Sequence, residues 1–266
     1  MPASPTNGTP VTDGEPSLSI VVPAYNESGR IEECLRAVVA HAEQRPGRTE
    51  ILLVDDGSSD DTLARVQRLA GQWPDLRILA ESHRGKAAAV RAGMLAATGR
   101  IVLFTDADLA TPLRYTSALV EQIEAGADVV IASREGRNAR RVDEPLHRHV
   151  MGRVFNLIVQ GLLLPGIQDT QCGFKAFRRD AARAILEETH LYRDATLAHG
   201  ARVTAFDVEL LYIARRLGQT IAVVPVVWSA GSDSKVNPVI DTWINLTDVL
   251  KIRLNGWRGR YPTSGR

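Results

Sequence analysis

The sequence predicts an α/β fold: a single domain built on a mostly parallel central sheet flanked by helices. Three observations predict it. Short runs of branched apolar residues alternate with amphipathic helical stretches, which is the signature of strand–helix–strand units. The runs are apolar throughout rather than alternating, as in strands covered on both faces. Polar residues able to do chemistry follow directly after the runs, where ligands bind in such sheets.

The elements follow in order. Residues 18–22 read as the first strand and about 30–43 as a helix. Residues 50–54 form the second strand, and Asp60 is placed to cap the helix carrying Leu63, Val66 and Leu69. A third strand is expected at 76–80, an alanine-rich helix at 86–97, a fourth strand at 101–104 and a fifth at 128–132. Beyond Arg134 the pattern loosens. Residues 135–146 are charged and read as a mobile loop, and 147–164 as an amphipathic helix with a basic front and an apolar back. A strand at 173–177, a helix at 205–217, a strand at 220–228 and a final helix at 239–254 complete the chain.

Composition narrows the function classes. The 266 residues are 44% hydrophobic and 24% charged, ordinary for a globular domain, and the net charge of +1 excludes a global basic field for nucleic acid. Two cysteines, Cys34 and Cys172, make neither a disulfide framework nor a zinc site, so a reducing, cytoplasmic protein is expected. Residues 1–16, rich in Pro, Gly, Ser and Thr, read as a disordered tail without an apolar signal region. The expected domain spans 17–257, with a flexible tail at 258–266. No apolar run reaches the roughly 18 residues of a transmembrane helix.

Four strand-end groups carry the chemistry. In Phe104-Thr-Asp106-Ala-Asp108 two carboxylates stand two residues apart, an arrangement that suits a divalent cation, Mg²⁺ or Mn²⁺, shared with diphosphate oxygens. Two solvated acids in a turn give the same pattern. Asp55-Asp56-Gly57-Ser58 offers acceptors to a base or ribose, and equally the residues of a capping turn. Pro23-Ala-Tyr25-Asn26-Glu27 is able to frame a nucleoside or to serve as an ordinary strand–helix loop. His83-Arg84-Gly85-Lys86 puts basic residues at a helix N-terminus, which suits phosphate, but lacks Walker spacing. Their joint occurrence at successive strand ends is far more specific than any one of them.

These segments, SIVVPAYNE, ILLVDDGSSDDT, RGKAAAVRAGMLAATG, FTDADLATP and ASR, resemble the GT-A-fold (Rossmann-like) glycosyltransferases of family 2. Further on, DTQCGFK at 169–175, FDVELL at 206–211 and Trp228 with GSDSKV at 231–236 look like the polyprenyl-phosphate sugar transferases, dolichyl-phosphate β-glucosyltransferases above all. The resemblance implies an inverting, metal-dependent hexosyltransferase with a nucleotide-sugar donor, best matched by UDP-glucose, and a polyprenyl (dolichyl or undecaprenyl) phosphate acceptor. It places Pro23, Tyr25, Glu27, Asp56, Lys86 and Asp106 at the nucleotide-sugar. Asp108, with Asp106, falls at the metal, and Arg134, Arg148 and Lys235 fall at the acceptor phosphate. Ala110 stands where mannose synthases carry glutamine, and Gly152 where they carry a serine near the lipid phosphate.

A phosphate acceptor needs positioning, which Arg134 and Arg148 would supply. A hydroxyl acceptor needs a base, for which Asp169, and next Asp207, are the candidates. So Asp169, Asp106 and Arg134 form the expected catalytic group. Transfer to a soluble or saccharide hydroxyl is one alternative, and a non-catalytic nucleotide-sugar-binding regulator another. The 147–164 helix fits peripheral contact with an anionic membrane as well as it fits core packing, and so does the terminal group of Trp243, Trp257 and nearby cations.

Overall fold

The computed structural model describes residues 15–193, 204–229 and 238–262, with backbone alone for His147 and residues 238–241. The first half is a regular alternation. It runs β1 (Leu18–Ala24), α1 (Ile31–Glu43), β2 (Thr49–Asp56), α2 (Thr62–Ala70), β3 (Leu76–Glu81), α3 (Lys86–Ala96), β4 (Ile101–Thr105), α4 (Thr116–Glu124) and β5 (Val129–Ser133). The second half contains β6 (Arg140–Val142), α5 (Leu146–Leu162), β7 (Phe174–Arg178), α6 (Arg179–Glu187), α7 (Phe206–Arg216), β8 (Ile221–Pro225), β9 (Val227–Ser229) and α8 (Pro238–Trp257).

Seven strands form one sheet in the order β3-β2-β1-β4-β7-β5-β8, and β6 and β9 make a separate pair. Every neighbour in the large sheet is parallel except β7, which runs antiparallel between β4 and β5. The strands divide their side chains between two cores. In β1, Leu18, Ile20 and Val22 pack toward α1, while Val21 packs toward α3. In β4, Ile101 and Leu103 face the first core, and Val102 and Phe104 the second. This period-two division of apolar residues is what a sheet covered on both faces requires. Helix α3 lies unusually close: a Cβ on Gly93 would sit 2.3 Å from a methyl of Val21 and 2.8 Å from one of Val54.

The expected alternation and most boundaries agree with the structure. Two helices, α4 and α6, have no counterpart in the sequence reading. The expected single strand at 220–228 divides at Val226 into β8 and β9, which belong to different sheets. Residues 135–146 are not the mobile loop expected from their charge. Arg141 is buried there, with Nη1 on both carboxylate oxygens of Glu144 at 2.8 and 2.9 Å and Nη2 on Glu135 at 2.9 Å. Arg153 of α5 closes the group on Glu135 at 2.5 Å. The tail expected to be flexible from 258 continues in the fold as far as Pro262. Tyr261 is buried, its hydroxyl donates to Glu209 at 2.7 Å, and Arg216 donates to the Pro262 carbonyl at 2.8 Å.

Candidate active site

The parallel strands β1, β2, β3, β4 and β5 all end on one edge of the sheet, so the four strand-end groups meet there. Because β7 is antiparallel, its beginning lies on that same edge. Thr105 pairs with Phe174, and the preceding DTQCG segment is thereby brought beside Asp106. One reversed strand thus joins two motifs separated by more than sixty residues.

The loops after β1 and β2 are bonded together. The Asn26 amide donates to the Ser58 hydroxyl at 2.9 Å, and its side-chain oxygen accepts from the Ser59 amide at 2.8 Å. The Glu27 amide donates to the Thr62 hydroxyl at 2.8 Å. Asp60 receives the Thr62 and Ser28 amides at 2.9 and 3.1 Å, close to the capping role expected of it. Desolvation would raise its pKa, but the hydrogen bonds from Thr62 and Ser28 outweigh that and hold it at about 2. Pro23 is a buried member of β1 opposite Val54. Tyr25 stacks on His83 with ring centroids 3.8 Å apart, and Glu27 pairs with Arg30 at 3.0 Å.

Asp56 is buried, and it builds the next loop. Its Oδ1 accepts the Arg84 amide at 2.8 Å, and its Oδ2 accepts the Gly85 amide at 2.9 Å and contacts His83 Nδ1 at 2.8 Å. Oδ1 carries one of these bonds and keeps a lone pair with which to accept from a nucleobase. The same loop delivers Lys86 to the start of α3, where its ammonium meets Asp106 at 2.5 Å. Desolvation alone would lower the Lys86 pKa. The carboxylates of Asp106, Asp207 and Asp108 outweigh it and raise the pKa above the ordinary lysine value.

Asp106 and Asp108 lie in the turn just past β4. Asp108 faces solvent and accepts the Ala110 amide at 3.0 Å. Partial desolvation and then the charge of Asp106 raise its pKa. Gly173 was missed as a site residue. A Cβ there would stand 2.1 Å from Asp106 Oδ2 and 2.6 Å from its Cγ, so a side chain would occupy the place of the carboxylate. Only a pairing register, which sequence does not display, reveals this. Gly173→Ala is expected to turn Asp106 aside and lower turnover about a hundredfold, the typical cost of a misplacement near 1 Å. Donor turnover beside a thermal melt tests it, and near-normal turnover in folded protein would contradict this role.

On the other side of β7, Asp169 is fully buried beneath Arg134. Its oxygens accept from Arg134 Nε and Nη2 at 2.8 Å each, from the Arg134 amide at 2.8 Å and from the Gln171 amide at 3.3 Å. Burial would raise the carboxyl pKa, but the guanidinium overrides it and holds it at about 2. The pKa of Arg134 is likewise raised, its desolvation outweighed by Asp169. The indole of Trp228, carried by β9, covers the guanidinium at 5.3 Å from ring centroid to Cζ.

The second candidate base, Asp207, is also committed. The fully buried Lys175 donates to it and to the Cys172 carbonyl, each at 2.5 Å. Glu209 receives the His190 and Leu191 amides and the Tyr261 hydroxyl, so it serves the packing of α7. Arg148 stands half-buried in the first turn of α5, and no hydrogen bond or ion pair among the described residues ties it to Arg134 or Asp169. Lys235 lies outside the described residues. No group of three or more His, Cys, Asp or Glu able to hold a metal occurs among them.

The chain is similar to known proteins. Residues 19–186 match the family model of glycosyl transferase family 2. The chain is 35% identical over 240 residues to dolichyl-phosphate beta-glucosyltransferase ALG5C of Trichomonas vaginalis, covering 86% of this chain and 68% of that one. It is 32% identical over 264 residues to the dolichyl-phosphate beta-glucosyltransferase of Homo sapiens, covering 92% and 77%. Among solved structures, glucosyl-3-phosphoglycerate synthase from Mycobacterium tuberculosis in complex with Mn²⁺ and UDP-glucose superposes with a TM-score of 0.62 at 21% identity, covering 90% of this chain and 79% of that one. The match extends over well over half of the chain and takes in every strand end described above, so the chain belongs to glycosyl transferase family 2 and is a glycosyltransferase of the GT-A fold.

Proposed function

We propose that the chain transfers a hexose, glucose from UDP-glucose, to a polyprenyl phosphate, with inversion at the anomeric carbon and with a divalent cation. The observation that carries the acceptor is the state of the two candidate bases. Asp169 and Asp207 are both buried in ion pairs, with Arg134 and Lys175. A hydroxyl acceptor must lose a proton, and neither carboxylate is poised to take it. A phosphate is already an anion and asks only for a cation in the right place. Arg134 answers that need: Asp169 engages its Nε and Nη2 and fixes the guanidinium plane, and among the described hydrogen bonds Nη1 is the donor not engaged by Asp169. The names of the relatives, dolichyl-phosphate beta-glucosyltransferases, support the same acceptor and sugar.

The donor side divides the work among the other strand ends. The joined loops after β1 and β2, with the Tyr25 ring on their flank, would hold the nucleoside. Lys86 at the N-terminus of α3 brings positive charge to the diphosphate. Asp106 and Asp108 offer only oxygen donors, and the missing Cβ of Gly173 leaves room for the first of them. Two carboxylates suit Mg²⁺ or Mn²⁺, which take their remaining ligands from diphosphate and water. Structural neighbours in complex with UDP and Mn²⁺ or Mg²⁺ support this reading. The cation would offset the charge that develops on the leaving diphosphate. The protein's own share is to orient the anomeric carbon toward a phosphate held by Arg134.

A donor-by-acceptor assay tests the proposal. UDP-glucose, UDP-GlcNAc and GDP-mannose are each offered with and without a short polyprenyl phosphate, in Mn²⁺ or Mg²⁺. UDP release from UDP-glucose that depends on the lipid phosphate is the expected result. Release that ignores the lipid would move the acceptor to a hydroxyl. No release with any pair would favour a binding-only role.

A further inference from the structure

Exposed apolar side chains are not spread evenly over this chain. Among the described residues eleven large hydrophobic side chains are exposed, and eight of them belong to two helices. On α5 they are Leu146, Val150, Val154 and Leu157, spaced four, four and three apart. On α8 they are Trp243, Leu250, Leu254 and Trp257, spaced seven, four and three apart. At 3.6 residues per turn each set falls on one narrow stripe of its helix. The two helices pack against each other. The two tryptophans remain 66% and 73% exposed, a large area to leave in water.

The charges around the stripes are predominantly positive. Helix α5 contains Arg148 and Arg153 and no acidic residue. From 238 to 262 stand Lys251, Arg253, Arg258 and Arg260 against two acids, Asp241 and Asp248, and Asp248 is buried and bonded to Tyr192 and Lys251. Arg253 lies over the Trp257 ring at 4.9 Å, an indole and a cation presented together. No described helix is long and apolar enough to cross a membrane. Apolar stripes with tryptophan, rimmed by cations and too short on hydropathy to span, suit the headgroup region of an anionic bilayer.

We infer that α5 and α8 together form one docking surface for an anionic lipid bilayer, and that this surface sets the orientation of the acceptor side of the active site. The second clause rests on the polyprenyl-phosphate reading; the first does not. A chain of ion pairs links surface and site. Arg153 of α5 holds Glu135, Glu135 and Glu144 hold the buried Arg141, and Glu135 directly follows Arg134. A bilayer that fixes α5 therefore fixes the segment carrying Arg134.

The test uses the full chain with vesicles of phosphatidylcholine alone or enriched in phosphatidylglycerol. The protein is expected to sediment with the anionic vesicles, less so at high salt, and little with the neutral ones. Combining Leu157→Gln with Trp257→Gln is expected to weaken that partition about tenfold or more. The thermal melt should stay unchanged, and so should turnover of a water-soluble short-chain polyprenyl phosphate. Turnover of acceptor embedded in vesicles should fall with the partition. Failure of the unaltered chain to bind anionic vesicles, or equal binding by the double variant, overturns the docking surface. Self-association lost in the variant, without vesicle binding, overturns it too and makes the face a protein interface. Vesicle binding without turnover of any polyprenyl phosphate leaves the surface standing and removes the acceptor reading.

Discussion

Asp108→Ala is expected to lower sugar transfer about a thousandfold while leaving the protein folded. The two halves of that expectation have separate causes. Asp108 faces solvent, and its one hydrogen bond among the described contacts is from the Ala110 amide. It also stands in the field of Asp106, and that like charge contributes to raising its pKa. Removing it relieves repulsion and buries nothing unpaired, so the melting temperature should hold or rise slightly. The chemical cost is different in kind. In the proposed function Asp108 would hold a cation against the leaving diphosphate, and loss of such a carboxylate removes about 4 kcal/mol of stabilisation, or roughly three powers of ten. A second readout separates this from simple misfolding: Mn²⁺ binding in the presence of UDP, followed by electron paramagnetic resonance, should weaken in the same variant. Turnover within tenfold of the unaltered chain would remove Asp108 from the metal site.

The gathering of the strand-end segments was legible in the sequence because a parallel sheet brings the residues that follow its strands to one edge. Tyr25, Asp56, Lys86, Asp106 and Asp108 all follow that rule, and the structure gathers their segments on one edge. What each side chain does there was less legible. Asp56 reads as an acid that meets the ligand, yet its oxygens also bond His83, Arg84 and Gly85. An acid that organises a neighbouring loop and an acid that touches the ligand look identical in a string of letters.

The acceptor side was harder, for physical reasons. Its residues come together through β7, whose antiparallel insertion follows from tertiary packing and not from any local pattern. The polar stretch 135–146 reads as solvated loop because sequence shows charges without their partners. In the fold Glu135 and Glu144 neutralise Arg141 and the three side chains become largely buried, while Arg137, Arg140 and Asp143 stay exposed. The 220–228 run reads as one strand because all but Ala222 and Pro225 are strand formers. The backbone changes sheets at Val226, and that change is what carries Trp228 over Arg134.

The Asp169–Arg134 pair yields the other large expected effect, since it is a buried ion pair and, in the function proposed above, also the holder of the acceptor phosphate. Asp169→Asn leaves a buried guanidinium without its counter-charge, and breaking such a pair costs about 3–5 kcal/mol. Arg134→Lys keeps the charge but cannot reproduce the two parallel bonds to the carboxylate. Both variants should melt earlier, and among folded molecules both should show a raised KM for polyprenyl phosphate, with the KM for UDP-glucose little changed. A base acting in catalysis would give the opposite division: Asp169→Asn would lose kcat with the acceptor KM preserved. The pH dependence separates the two roles again. With its folded pKa depressed to about 2, Asp169 contributes stability that is fully present above its unfolded value near 3.8 and is lost as pH falls through about 2. The pair therefore stays intact across the neutral range, and Asp169 should add no inflection to a kcat profile there. An inflection near neutrality that vanishes in Asp169→Asn would return that carboxylate to the role of base and, with it, return the acceptor to a hydroxyl.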